Sequence, residues 1–191
     1  MIINAWHYLV YLYGMVIDSL SVCDTSERLS AYGINRTQFP LQYMGRWYFL
    51  AAASSPGTDA LKIFTLMDNA EFAVHGSDNQ DSLIFRAAIR AKDGSCIPRK
   101  WIYLLTENST DLRTEGHPDR LTELFASRCP HCAILKETEN STSRLLLYSR
   151  FPQLEEEFMD EFRDKSSCEG FKDVLKIPQK KEYCHLVDAG S

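Results

Sequence analysis

The sequence predicts an all-β domain of eight short antiparallel strands, a barrel or a sandwich, followed by one C-terminal α-helix. Three observations carry that expectation. From Met44 to Arg150, short stretches rich in aromatic and branched residues recur at near-regular spacing. Turn signals separate them: Pro56-Gly57, Gly76-Ser77-Asp78-Asn79, Asp93-Gly94, Asn108-Ser109, and Gly116 with Pro118. Beyond Pro152 apolar residues recur at four-residue spacing, at Leu154, Phe158 and Phe162, which reads as one helix face.

Taken in order, the expected strands are "RWYFLAAA", "NAEFAVHG", "SLIFRAAIRA", "IPRKWIYLLT", "TDLRTE", "RLTELFAS", "AILKE" and "SRLLLYSR". Pro152 suits the first turn of the helix, where a missing N–H costs nothing. Isolated glycines and prolines after Ser167 predict an irregular tail that needs fastening. The chain contains no internal repeat and no low-complexity segment.

A chain of 191 residues suits one domain with a sizeable core. Acids outnumber bases 26 to 21, a net charge of −5, which argues against a nucleic-acid partner. Six cysteines between positions 23 and 184 point to an oxidising compartment, as do N-x-[ST] sequons at Asn35, Asn108 and Asn140. Residues 2–17 carry no charged side chain before Asp18. That run is shorter than the ~20 residues of a spanning helix. It reads as a secretory signal, with Ser19 and Ser21 small enough for cleavage before Val22. The expected organisation is a signal segment over 1–22 and one domain over 23–191.

In "CIPRKWIYLL", period two puts Arg99 on the same face as Trp101 and Tyr103, at the head of an inward aromatic strip. "CPHC", Cys129 to Cys132, invites a thiol–disulfide redox reading, but such cysteines need a helix N-terminus on a βαβ scaffold. Here "AILKE" reads as a strand. A zinc site from Cys129, His131 and Cys132 lacks a fourth ligand. No Ser-His-Asp or paired-carboxylate constellation can be placed. The expectation is a carrier, not an enzyme, without metal or cofactor.

"GRWYF", residues 45–49, with Arg150 at the end of the last strand, resembles the lipocalin pattern. In that pattern a tryptophan, here Trp47, closes the barrel floor and an arginine, here Arg150, stacks across it. The last interstrand turn departs, with "SRCPHC" where lipocalins often carry Thr-Asp-Tyr. "CIPRKWIYLLTENSTDLRTEG" with "TELF", "LLLY" and "GRWYF" is similar, more specifically, to the apolipoprotein M family of lipocalins. The resemblance implies an eight-stranded lipocalin barrel and a secreted, extracellular protein of plasma lipoproteins, mainly high-density particles. It further implies that the signal segment is kept as an anchor in the particle's phospholipid surface. The implied cargo is sphingosine-1-phosphate or a similar amphipathic lipid. The remaining readings are a redox protein using Cys129 and Cys132, and a lipocalin acting mainly through protein contacts.

By resemblance Arg99 and Trp101 hold the phosphate, Glu137 pairs with the ligand's ammonium, and Arg144 and Tyr148 assist at the head group. Tyr103 joins them and also serves the core. An eight-stranded barrel holds one small ligand. Burying roughly fifteen methylenes at ~0.8 kcal/mol each gains on the order of 12 kcal/mol before association costs. The phosphate needs a charged partner such as the planar fork of an arginine. His117 stands where the family pattern has an arginine at the phosphate, and a neutral imidazole donates only one hydrogen bond. The resemblance also implies Cys23–Cys168 and Cys96–Cys184 bridges. The family's third bridge joins the Cys129 position to the helix position held here by Phe158. The extra Cys132 leaves a Cys129–Cys132 bridge, free thiols or pairing between chains as alternatives.

Overall fold

The computed structural model describes residues 26–32, 34, 35, 37–78, 81–106 and 109–186, with His7, Tyr11 and Cys23. Apart from His7 and Tyr11, the N-terminal segment with its expected cleavage point lies outside the described residues, as does the sequon at Asn108. Eight antiparallel strands are present: β1 (Gly45–Ser54), β2 (Met67–Gly76), β3 (Ser82–Ala91), β4 (Cys96–Leu105), β5 (Leu112–Thr114), β6 (Arg120–Phe125), β7 (Cys132–Glu139) and β8 (Thr142–Ser149). Each pairs with its sequence neighbour, and β1 pairs with both β2 and β8, which closes the barrel. Closure selects the barrel over the sandwich. It also removes the exposed sheet edges that an open meander would leave.

In β1 "FLAAAS" is buried on both faces, and a bulge between Phe49 and Ala51 shifts its alternation. Trp47 and Phe49 point inward; after the extra residue Ala52 does, while Leu50, Ala51 and Ala53 face outward. The outer face is covered by helix α1 (Glu156–Cys168), whose Met159 and Phe162 pack on Leu145, Leu147 and Ile134. The helix begins at Glu156, later than expected, leaving Pro152 and Leu154 in the approach. Its buried stripe is Met159–Phe162, and Phe158 instead meets the His131 ring at 6.1 Å. Glu156 and Glu157 in the first turn and Lys165 in the last suit the helix dipole. Gly170, at φ +81, ends the helix, and the Phe171 N–H donates back to the Ser166 carbonyl.

The tail expected to be irregular adds a ninth strand, β9 (Asp173–Lys176), on the upper half of β1. It is then fastened at several points. Gln179 Nε2 donates to the Phe49 carbonyl, and the buried Asp68 carboxylate accepts the N–H groups of Lys180 and Lys181. Three disulfides bridge Cys23–Cys168, Cys96–Cys184 and Cys129–Cys132. The first ties the chain start to the helix end, where Lys165 Nζ also donates to the Ser26 and Arg28 carbonyls. The third resolves the alternatives left open for Cys129 and Cys132. Cys132 opens strand β7, so no helix N-terminus stands at this bridge.

Candidate functional site

The barrel has a closed floor and an open mouth. At the floor the Arg150 guanidinium lies 3.8 Å from the centre of the Trp47 ring. Arg150 donates to the carbonyls of Arg46 and Gln42, and Trp47 Nε1 donates to the Tyr43 carbonyl. Gly45 is needed here: its φ is +91, and a Cβ would come within 3.4 Å of the arginine.

Above the floor the interior is lined by aromatic rings. Trp101 stacks on Phe85 at 5.9 Å and meets the edges of Phe72 and Tyr103. Tyr148 packs edge-on against Phe72 at 5.2 Å and tilts against Phe49. Phe64, from the 3-10 helix Lys62–Leu66 in the β1–β2 connection, closes over Phe49 at 5.0 Å. The cavity among Trp47, Phe72, Phe85, Leu112 and Tyr148 measures about 30 Å³. That is room for about one water. The aromatic rings have to turn before an acyl chain can enter.

Polar chemistry begins at the mouth. Arg144 donates to one Glu137 oxygen through Nε at 2.8 Å and a terminal nitrogen at 2.6 Å, while the Tyr103 hydroxyl donates to the other at 3.4 Å. Arg144 also lies over the Phe64 ring at 4.9 Å. Period two explains the convergence. Glu137 and Arg144 are direct cross-strand partners on β7 and β8, and Glu137 faces Thr122 of β6. Burial, and then the Glu137 charge, push the Tyr103 hydroxyl well above its ordinary pKa. Tyr148 is raised as well, first by burial and then by Glu137. Both therefore stay neutral donors. Around them Trp101 Nε1, Thr114 Oγ1 and Thr122 Oγ1 are buried and reach no partner in hydrogen-bonding geometry.

A second tier sits on the rim. Arg120 donates to Glu139 at 2.8 Å, and His117 Nδ1 lies 3.5 Å from the other Glu139 oxygen. The Arg120 hydrogen bond holds Glu139 below the usual carboxylate range. Both tiers open into a basin of about 410 Å³, lined also by Asp59, Ala60 and Ile63. That volume lies within the range of small-molecule sites.

The residues expected at the head group are thus divided. Tyr103, Glu137, Arg144 and Tyr148 come together, Trp101 packs against Tyr103, and His117 stands at the rim. Arg99 does not join them: it is exposed and donates to the Pro98 carbonyl. Among the sequons, Asn35 is exposed and accepts from Thr37, and Asn140 is exposed in the β7–β8 turn at the edge of the basin. Sequence reasoning missed Arg120, Glu139, Thr122 and Phe64. Arg120 and Glu139 are direct cross-strand partners, a signal readable once β6 and β7 are put in register. Phe64 carried no such signal, because its position depends on a loop fold.

A floor sealed by tryptophan and arginine, an eight-stranded barrel and a packed helix define a lipocalin. Solved structures with this fold include the siderocalin Ex-FABP, at TM-score 0.62 and 19% identity over 74% of this chain and 97% of that one. Siderocalin Q83 matches at TM-score 0.61 and 19% identity, over 76% of this chain and 94% of the other. The family model of the ApoM domain matches residues 1–188. The chain is 41% identical to mouse apolipoprotein M over 185 residues, covering 96% of this chain and 97% of the relative. Rat apolipoprotein M is 40% identical over the same shares. The chain belongs to the apolipoprotein M family.

Proposed function

We propose that this lipocalin is a secreted carrier on plasma lipoproteins that holds sphingosine-1-phosphate, or a similar zwitterionic lipid, head group at the mouth and tail inward. One observation carries the reading. Paired cations and carboxylates (Arg144 with Glu137, Arg120 with Glu139) stand directly above an aromatic-lined interior. A ligand bearing both a phosphate and an ammonium can exchange with such pairs, giving phosphate to the arginines and ammonium to Glu137. The ammonium then takes the place at Glu137 that Arg144 gives up, so neither member of that pair is left unpaired. Trp101 Nε1 and the Thr114 and Thr122 hydroxyls, buried near Tyr103, add hydrogen-bonding capacity beside the head group. Arg99 would reach the phosphate by swinging inward from the rim of β4. The N-terminal segment, kept uncleaved, would anchor the chain in phospholipid.

The tight interior favours a second reading, a lipocalin acting mainly through protein contacts. Titration of the intact chain with sphingosine-1-phosphate, followed by tryptophan fluorescence, separates the two. Saturable quenching at one ligand per chain is expected, since Trp101 lines the path. Absence of saturable binding would overturn the carrier reading.

A further inference from the structure

On the outer face of the barrel, Arg86 of β3 and Lys100 of β4 are direct cross-strand partners. Their neighbours Phe85, Ala87 and Trp101 belong to the interior cluster, so period two places both cations outside. Like charges in this relation repel and destabilise a sheet. Among the described residues neither enters an ion pair, and Arg86 Nε is buried without a hydrogen-bond partner. The Cys96–Cys184 bridge fixes the tail across the same face and brings His185 and Leu186 beside them. The result is a groove of about 540 Å³ in which Arg86, Lys100 and the exposed Arg99 stand against an apolar wall of Ile97, Pro98 and Leu186, with no carboxylate among its described lining. In a chain of net charge −5 that segregation is against the trend.

We infer that this groove is an anion site outside the barrel that takes a phosphate monoester head group. A phosphate between Arg86 and Lys100 turns a repelling pair into two charge-assisted contacts, and the guanidinium fork matches its oxygens. The apolar wall accommodates the carbons next to the ester. The ester comes either from a lipid surface or from a soluble metabolite, and the site chemistry is the same for both. The competing anion is the chain's own Asp188, two residues beyond Leu186.

The test uses the full chain, unchanged and as Arg86→Gln/Lys100→Gln, a variant that leaves the barrel mouth untouched. Melting temperature is followed against glycerol 3-phosphate, with sodium chloride at matched ionic strength as control. Without phosphate the variant should melt higher, because the repulsion is gone. With phosphate its apparent affinity should fall about tenfold or more. Flotation with phosphatidylcholine vesicles, with and without phosphatidic acid, identifies the source. A preference for phosphatidic acid that the variant loses assigns a lipid head group; a response to glycerol 3-phosphate without that preference assigns a soluble ester. An equal phosphate response in both proteins would overturn the inference and place the anion elsewhere, such as at Arg120 and Arg144. A response that emerges only after Asp188→Asn would also overturn it, because the chain's own terminus would then fill the groove. So would no response above chloride in any of the three proteins.

Discussion

At Glu137, three donated hydrogen bonds converge on one carboxylate at the barrel mouth. Glu137→Gln keeps the shape and removes the charge. It should weaken binding of sphingosine-1-phosphate far more than binding of an analogue with a hydroxyl in place of the amine, as read by parallel titrations. Equal losses would show that Glu137 only positions Arg144. Arg99→Ala, in turn, should discriminate between sphingosine-1-phosphate and sphingosine if Arg99 swings in to the bound phosphate, because it would then remove a charge-assisted contact and leave the tail path intact. Equal losses for both ligands would remove Arg99 from the phosphate site. The exposure of Arg99 has a physical reason that period two alone does not reveal. Parity fixes which face a side chain leaves from, but at the mouth the inner face is open to water. His117 stands at the same rim, facing Glu139 with Arg120 beyond it. His117→Arg would set a permanent charge and a planar donor fork at this rim, and should bind sphingosine-1-phosphate more tightly near neutral pH. Equal affinity for both proteins would make His117 an ordinary turn residue.

Between elements, the β6–β7 ladder carries the Arg120–Glu139 rung and β8 carries Arg144 opposite Glu137. Glu139 is held low mainly by the Arg120 hydrogen bond, so Arg120→Gln should return its titration toward the ordinary carboxylate value, as NMR would report. A lowered carboxylate pKa stabilises above its unfolded value, and that contribution is lost as pH falls through the folded value. Because the pair is half-exposed at the rim, the change should stay below ~1 kcal/mol. On the opposite face, Phe162 is fully buried between α1 and the outer side of β8. Phe162→Ala should cost about 3–5 kcal/mol, measured by denaturant unfolding, while leaving the mouth intact. The eight barrel strands were legible because alternation and turn residues agree along each of them. β9 was not, since "DVLK" is short and largely exposed, and it becomes a strand only by docking on β1. The helix stripe was read at a spacing of four, whereas the packing uses Met159 and Phe162, three apart. Leu154 also packs against that cluster as expected, and only Phe158 turns away, to His131.

In the whole molecule, a closed floor, a polar basin and an aromatic interior are stacked along one barrel axis. The Cys23–Cys168 bridge and the Lys165 contacts hold the start of the domain against α1. The family-level disulfides were legible through resemblance, while the local Cys129–Cys132 bridge followed only from the turn that brings their Cα atoms to 5.3 Å. Phe64 as a lid over Phe49 was illegible, because nothing in "LKIFTL" states where that loop folds. If the uncharged N-terminal segment is kept as an anchor, secreted protein should begin at or near Met1; a mature terminus at Val22 would leave particle association to other surfaces. The central claim is that the barrel carries an exchangeable phosphorylated amphiphile despite its tight interior. Native mass spectrometry of the protein secreted into lipid-containing medium tests it most directly. The predicted result is one sphingoid-phosphate-sized lipid per chain, displaced by added sphingosine-1-phosphate and reduced in Glu137→Gln. A chain that carries no lipid and takes none up on addition would contradict the account.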